Sequence, residues 1–174
     1  MSAARFRLMA LEFKIRDFIS PRDYVLNEVG LKQGFQVLDY GCGPGGYVFP
    51  ACKLIGETGR LCALDINPVA ISMVEKLVKK KGLKNVETIL SDCATGLHPE
   101  SIDTVLLFDV FHDLEGQKAV LEELHRVLKQ NGVLSFSDHH LKEGDILSAV
   151  TKEKLFALMR KGERTYSFMK KARA

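Results

Sequence analysis

Short apolar runs alternate with helical apolar stripes along most of the chain. The runs FQVLDY, RLCALD, VETILSD, DTVLLFD and GVLSFSD have the length and β-branched content of strands. Between them, apolar positions recur at helical spacing, most clearly over residues 70–78 and 120–128. This alternation predicts a parallel sheet whose strands are joined by helices. Continuous apolar runs such as TVLLF are typical of strands that are covered on both faces.

Helix ends can be read from a few residues. Asn67 and Pro68 predict the start of a helix that Gly82 ends. The helix with apolar positions over 120–128 is expected to close at Asn131–Gly132. Near the C-terminus, the pattern predicts a helix near Lys152–Arg160 and a strand near Tyr166–Met169.

The apolar residues of the N-terminal leader need a surface to cover them. Phe6, Met9, Phe13 and Phe18 recur along residues that can form a helix. A second helix is expected from Arg22 to Val29, ended by Gly30. We therefore expect residues 1–33 to form a helical extension. It packs on its own domain, roofs a binding site, or contacts a second subunit or another protein.

Composition and length favour one globular domain over residues 1–174. Apolar residues make up 46% and charged residues 27% of the chain. No run approaches the roughly 18 apolar residues of a membrane span. Charges interrupt the first residues, so no secretory signal is predicted and a cytoplasmic location is expected. The four cysteines include no CxxC pair and no zinc-ligand pattern, and we expect reduced and mostly buried thiols.

Charge is distributed unevenly. The net charge is +3, with −3 over residues 1–150 and +6 over residues 151–174. A basic tail of this kind can hold an anionic partner such as RNA or a membrane surface. The alternative is a solvated edge of the fold, which is the commoner role of such charges.

The loop DYGCGPGG follows the first predicted strand and opens a helix. Gly41, Gly43 and Gly46 match the GxGxxG pattern of dinucleotide-binding loops. Together with Asp39 and Gly45, the same segment also has the form DxGxGxG. An aspartate at this strand end repels a pyrophosphate and attracts a cationic ligand, so the second interpretation is favoured over a nicotinamide-dependent enzyme.

Aspartates end the next two strands as well. Asp65 is placed to bind both hydroxyls of a ribose, and Asp92 is placed to accept from an adenine amino group. Each aspartate alone could be a turn residue. At three successive strand ends, they indicate an adenosine that carries positive charge.

These motifs resemble those of a known family. VLDYGCGPGG, LDINPVAI, LSDCATGLHPESIDTVLLFDVFHDL and LHRVLKQNGVLSFSDHH are similar to successive motifs of class I S-adenosylmethionine-dependent methyltransferases, of the ubiquinone/menaquinone-biosynthesis-like (type 11) group. The resemblance runs from about Gly34 to His140. It implies an α/β fold with a Rossmann-like, mostly parallel sheet, helices on both faces and strand order 3-2-1-4-5 before a C-terminal antiparallel part.

The resemblance also implies roles for individual residues. Asp39, Tyr40 and the loop Gly41, Gly43 and Gly45 would hold the methionine portion of S-adenosylmethionine. Asp65 would hold the ribose, and Ile66 would pack on the adenine. Asp92 and Cys93 would contact the base, and Phe108 and Asp109 would line the pocket behind the sulfonium. The C-terminus departs from the family pattern, so a shortened antiparallel part with a missing or very short sixth strand is expected.

Acidic and imidazole side chains gather where the fourth and fifth strands end. The cluster comprises Asp109, His112, Asp113, Asp138, His139 and His140. It could be a solvated set of helix caps, or it could supply a general base, with His112 as the first candidate and His139 as the second. A divalent metal is a third interpretation, but the spacing does not require a metal and none is predicted.

The predicted function is methyl transfer to a small-molecule acceptor whose identity and acceptor atom the sequence leaves open. Transfer from a sulfonium depends mainly on alignment, so a sharp catalytic triad is not required. An RNA or protein methyltransferase is the alternative, supported only by the basic tail. A module that binds the cofactor without catalysis is a third hypothesis.

Overall fold

The computed structural model describes residues 22–172, so the predicted leader helix over Phe6–Phe18 lies outside the described residues. The elements, in chain order, are α1 (Asp23–Val29), β1 (Gln36–Tyr40), α2 (Val48–Ile55), β2 (Arg60–Asp65), α3 (Pro68–Lys81), β3 (Val86–Leu90), β4 (Ile102–Phe108), a 3-10 turn (Phe111–Asp113), α4 (Gln117–Val127), β5 (Leu128–Ser137), α5 (Glu143–Thr151), β6 (Phe156–Lys161) and β7 (Tyr166–Lys170).

The strands form one seven-stranded sheet in the order β3-β2-β1-β4-β5-β7-β6. Strands β1 to β5 pair in parallel, and β7 is antiparallel to both β5 and β6. This order confirms the predicted Rossmann-like sheet and its antiparallel C-terminal part. Because parallel strands all end at the same edge, the loops after β1 to β5 share one side of the molecule.

Helices cover both faces of the sheet. Helices α1, α2 and α3 contribute buried residues such as Leu26, Ala51 and Val74 to one core cluster. Helices α4 and α5 contribute Leu124 and Ile146, among others, to the second cluster on the other face. The central strands, covered on both sides, are therefore mostly apolar, and in β4 only Asp103 and Thr104 are polar.

The cap residues in the sequence predicted both ends of α3 correctly. The Asn67 side chain accepts a hydrogen bond from the Val69 N–H at 2.9 Å, and Pro68 occupies the first helical position. Gly82 ends the helix with a left-handed φ of 65°. Gly30 ends α1 in the same way, with a φ of 76°.

Two predictions near the C-terminus are wrong. Residues 156–161 form a strand and the helix lies earlier, at Glu143–Thr151, so the sixth strand is neither missing nor very short. A register shift between Leu158 and Arg160 disturbs the alternation of β6, and most of its residues are exposed. The period-two pattern that identifies a strand is therefore lost from the sequence.

The predicted end of α4 at Asn131–Gly132 is also wrong. The helix ends at Val127, and Leu128 is already extended and paired with Ile102. Gly132 is not a helix cap. A Cβ atom there would lie 2.8 Å from the Leu128 side chain and 3.1 Å from the Ile102 carbonyl oxygen, so close packing requires glycine.

Candidate functional site

The glycine loop joins β1 to α2 at the carboxyl edge of the sheet. Gly41, Gly43 and Gly45 have φ values of 77°, 52° and 85°, a region that favours glycine. A Cβ atom on Gly41 would lie 2.6 Å from the Val110 side chain, so the loop after β4 packs directly on this loop. A Cβ atom on Gly43 would meet nothing within 4 Å. Gly43 therefore presents bare backbone to an approaching ligand.

Asp39 is the last residue but one of β1, just before this loop, and is almost fully buried. Its Oδ2 atom has no hydrogen-bond partner among residues 22–172. Burial raises the pKa of the carboxyl to about 7, and the charge of Arg22 lowers this pKa while that of Asp65 raises it. A cation bound nearby would stabilise the ionised carboxylate.

Asp65 ends β2, and both of its carboxylate oxygens brace the surrounding loops. Oδ2 accepts a hydrogen bond from the Gly43 N–H and Oδ1 accepts one from the Asn67 N–H, each at 2.8 Å. Burial raises its pKa, and the backbone N–H donors oppose that rise. The sequence did not predict this bracing role. Each oxygen keeps a further lone pair that can accept from a ligand hydroxyl.

Exposed apolar side chains stand beside Asp65. Ile66 is 68% exposed and Leu90, which pairs with Asp65 across the sheet, is 58% exposed. A flat aromatic ligand at this position would cover Ile66.

Asp92 and Cys93, which follow β3, lie in different surroundings. Asp92 is exposed, and its backbone carbonyl accepts a hydrogen bond from the hydroxyl of the buried Tyr40 at 2.9 Å. Tyr40 thus supports the site from within the core. Cys93 lines a groove of about 560 Å³ that runs along α4 towards Lys170 and Lys171.

Arg22 and Tyr47 form a pair beside Asp39 that the sequence did not reveal. The Arg22 Nη1 atom donates to the Tyr47 hydroxyl at 2.6 Å, and the guanidinium carbon lies 4.4 Å from the Tyr47 ring centroid. The Tyr47 ring in turn packs edge-on against buried Phe108, with centroids 4.9 Å apart. Arg22 precedes the loop by almost twenty residues, so spacing gave no signal of this contact.

The polar cluster at the ends of β4 and β5 assembles as predicted, in two crossed pairs. His112 Nδ1 lies 2.9 Å from Asp138 Oδ2, and His139 Nδ1 lies 2.8 Å from Asp109 Oδ1. Each aspartate thus comes from one strand end and its histidine from the other. The His140 ring lies between the two imidazoles, with centroid distances of 4.1 Å to His112 and 3.9 Å to His139.

Asp109 has an unusual backbone. Its φ is 53°, although it is not glycine, and its N–H donates to the Ser137 carbonyl at 2.7 Å. Such strain persists where the surrounding structure fixes it, often at functional sites. Over residues 22–172, no group of three or more His, Cys, Asp or Glu side chains is arranged to hold a metal ion.

A family model described as a methyltransferase domain matches residues 31–173. The chain belongs to this family. Its predicted class, a type 11 class I methyltransferase domain that uses S-adenosylmethionine, is confirmed.

Curated relatives resemble parts of the chain. (S)-Coclaurine N-methyltransferase of Thalictrum flavum subsp. glaucum is 27% identical over 63% of this chain and 30% of its own length. The ubiquinone/menaquinone biosynthesis C-methyltransferase UbiE of Coxiella burnetii is 24% identical over 85% of this chain and 63% of its own. The chain therefore spans between about a third and two thirds of the lengths of these relatives.

Solved structures share the fold. A SAM-dependent methyltransferase from Aquifex aeolicus is 27% identical with a TM-score of 0.78, covering 90% of this chain and 97% of that one. Coclaurine N-methyltransferase bound to N-methylheliamine and SAH is 23% identical with a TM-score of 0.60, covering 67% of this chain and 33% of that one. The second likeness concerns the fold alone.

Proposed function

We propose that this chain transfers a methyl group from S-adenosylmethionine to a small-molecule acceptor. The observation that carries the proposal is the buried Asp39 carboxylate, with one oxygen unpartnered among the described residues, next to a bare glycine loop. This arrangement suits the ammonium group at the amino-acid end of the cofactor. The chemistry is an in-line displacement at a methyl group that the sulfonium already activates, so alignment contributes most.

The remaining cofactor contacts are assigned by proximity and chemistry. Gly41, Gly43 and Gly45 provide backbone for the methionine portion, and Arg22 is suited to its carboxylate. Asp65 has lone pairs for the ribose hydroxyls, and exposed Ile66 supplies an apolar surface for adenine. Asp92 and Cys93 border the base, while Phe108 and Asp109 border the sulfonium.

The carboxyl edge favours a small neutral or cationic acceptor over a nucleic acid. Six aspartates lie at the ends of the parallel strands or in the loops that follow them: Asp39, Asp65, Asp92, Asp109, Asp113 and Asp138. Their negative charge opposes a phosphate backbone. In the basic C-terminal segment, Lys161 and Lys170 are already paired with Glu143 and Glu100.

The chemistry of the cysteines supports the proposed cytoplasmic location. All four are free thiols, and Cys42, Cys52 and Cys62 are buried. Unpaired thiols are typical of proteins from reducing compartments. Over residues 22–172, no helix has the length and apolar character needed to cross a bilayer.

The proposal is tested by following a radioactive methyl group. The protein and labelled S-adenosylmethionine are incubated separately with the small-molecule, RNA and protein fractions of a cell extract. We expect label in the small-molecule fraction alone, and much less of it with the Asp39→Asn variant. Label in RNA or protein would favour the alternative acceptor classes, and cofactor binding without any transfer would favour the non-catalytic module.

A further inference from the structure

The contacts of Asp138 fix the position of a proton on His112. Asp138 Oδ2 lies 3.1 Å from the His112 backbone nitrogen and 2.9 Å from its Nδ1. A carboxylate only accepts hydrogen bonds, so Nδ1 must carry a proton to make the second contact. In a neutral imidazole, Nε2 then carries the lone pair.

A second carboxylate competes for the same ring from the other side. Asp113 Oδ2 lies 3.5 Å from His112 Nε2, and the Asp113 side chain is 83% exposed. The Asp138 side chain is fully buried. Solvent screens the longer, exposed contact far more than the short, buried one. Asp138 therefore determines which nitrogen is protonated.

Asp109 and His139 make the same two contacts as Asp138 and His112, but they are more exposed to solvent. Asp109 Oδ1 accepts from the His139 N–H at 3.2 Å and lies 2.8 Å from its Nδ1. The His139 side chain is 57% exposed, against 22% for His112. An imidazole that is partly shielded and held by a buried carboxylate keeps its orientation better, so His112 is the better placed base.

We propose that Asp138 is a positioning residue that holds the His112 proton on Nδ1 and leaves Nε2 as the proton-accepting atom of the transfer. This inference rests on the proposed function. As the acceptor oxygen or nitrogen bonds to the methyl carbon, its proton moves to Nε2. The electron pair of the broken carbon–sulfur bond returns to sulfur, which gives the demethylated cofactor. Such a base suits an acceptor with an O–H or N–H group, which loses that proton as it is methylated.

Once protonated, His112 has a carboxylate on each side. The buried Asp138 stabilises the positive ring at Nδ1, as the carboxylate of a catalytic triad does. The exposed Asp113 lies within 3.5 Å of Nε2 and borders solvent, which gives the proton a route to water.

The test is the tautomer of His112, which NMR reads from isotope-labelled ring nitrogens. The sample is the full chain with added S-adenosylhomocysteine (SAH), the demethylated cofactor. A His112→Asn variant assigns the signal. Under mildly alkaline conditions we expect Nδ1–H to dominate, and Asp138→Asn to reduce this preference about tenfold, because a charge-assisted bond becomes a neutral one. Asp109→Asn is the matched control, expected to change His139 and to leave His112 unaltered.

A wild-type His112 that carries its proton on Nε2 would overturn the inference, as would an unchanged ratio in a folded Asp138→Asn protein. SAH affinity is measured on the same samples by calorimetry. Failure to bind SAH would count against the proposed function, whereas the tautomer result stands independently of cofactor binding. If the Asp138→Asn protein does not fold, Asp138→Glu replaces it. This variant keeps the negative charge but moves the carboxylate relative to His112 Nδ1.

Discussion

At the scale of single residues, Asp39 couples protonation to ligand binding. Its carboxyl pKa is about 7 because burial disfavours the charged form. The folded chain therefore holds a proton that the unfolded chain releases near pH 4, and stability falls as pH rises between those values. The fall is limited to about 1.4 kcal/mol per pH unit. A bound ammonium group offsets the cost of ionising the buried Asp39 carboxyl, because it stabilises the carboxylate.

Proton release on cofactor binding follows from this coupling. At about pH 6 we expect SAH binding to release close to one proton, because most Asp39 carboxyls are protonated before binding and ionised after it. Calorimetry in buffers of different ionisation enthalpy measures this number. Asp39→Asn should release none. Equal proton release by the variant would place the coupling on another group.

Arg22 offers a second test at the same scale. If its guanidinium binds the cofactor carboxylate, Arg22→Gln should weaken SAH binding by about 10- to 100-fold, the value of a charged hydrogen bond. Arg60→Gln is the control, because Arg60 pairs with Glu87 on the surface of β2 and β3. An affinity that Arg22→Gln leaves intact in equilibrium dialysis would remove Arg22 from the site.

At the scale of elements, comparing two glycines shows whether the glycine loop needs glycine for its backbone conformation alone or also to admit a ligand. Gly43 and Gly82 both have positive φ values, 52° and 65°, and a Cβ atom on either would meet nothing within 4 Å. One lies in the loop before α2 and the other ends α3. A ligand is expected above Gly43 and not above Gly82.

Alanine at either glycine should therefore cost the same stability, about 1–2 kcal/mol for the left-handed backbone. Only Gly43→Ala should also weaken SAH binding, because its methyl group occupies the ligand's approach. Denaturant unfolding and calorimetry on both variants provide the comparison. Equal SAH affinity for the two variants would show that the cofactor does not contact the loop at Gly43.

Elements with local signals could be predicted from the sequence, and those fixed by distant contacts could not. Asn67, Pro68 and Gly82 bounded α3 because caps act within one turn. The bulge in β6 concealed a strand. The crossed aspartate–histidine pairs join residues 26 and 30 positions apart, so only the strand order brings them together.

At the scale of the whole molecule, α1 links the site to the hairpin formed by β6 and β7. The Glu28 carboxylate accepts hydrogen bonds from the Thr165 N–H at 3.0 Å and from its hydroxyl at 2.9 Å. The Arg160 side chain also donates to the Glu28 carbonyl. Arg22, at the start of the same helix, contacts Tyr47 beside the glycine loop. Glu28→Ala should therefore lower stability by about 1–3 kcal/mol in denaturant unfolding, because buried donors lose their acceptor.

The central claim is that the carboxyl edge of the sheet binds S-adenosylmethionine through Asp39, and that it does not bind a dinucleotide. Titration calorimetry with SAH and with NAD on the same preparation, repeated with Asp39→Asn, tests it most directly. We predict saturable SAH binding that Asp39→Asn weakens at least tenfold, together with no NAD binding. Saturable NAD binding with no SAH binding would contradict the account.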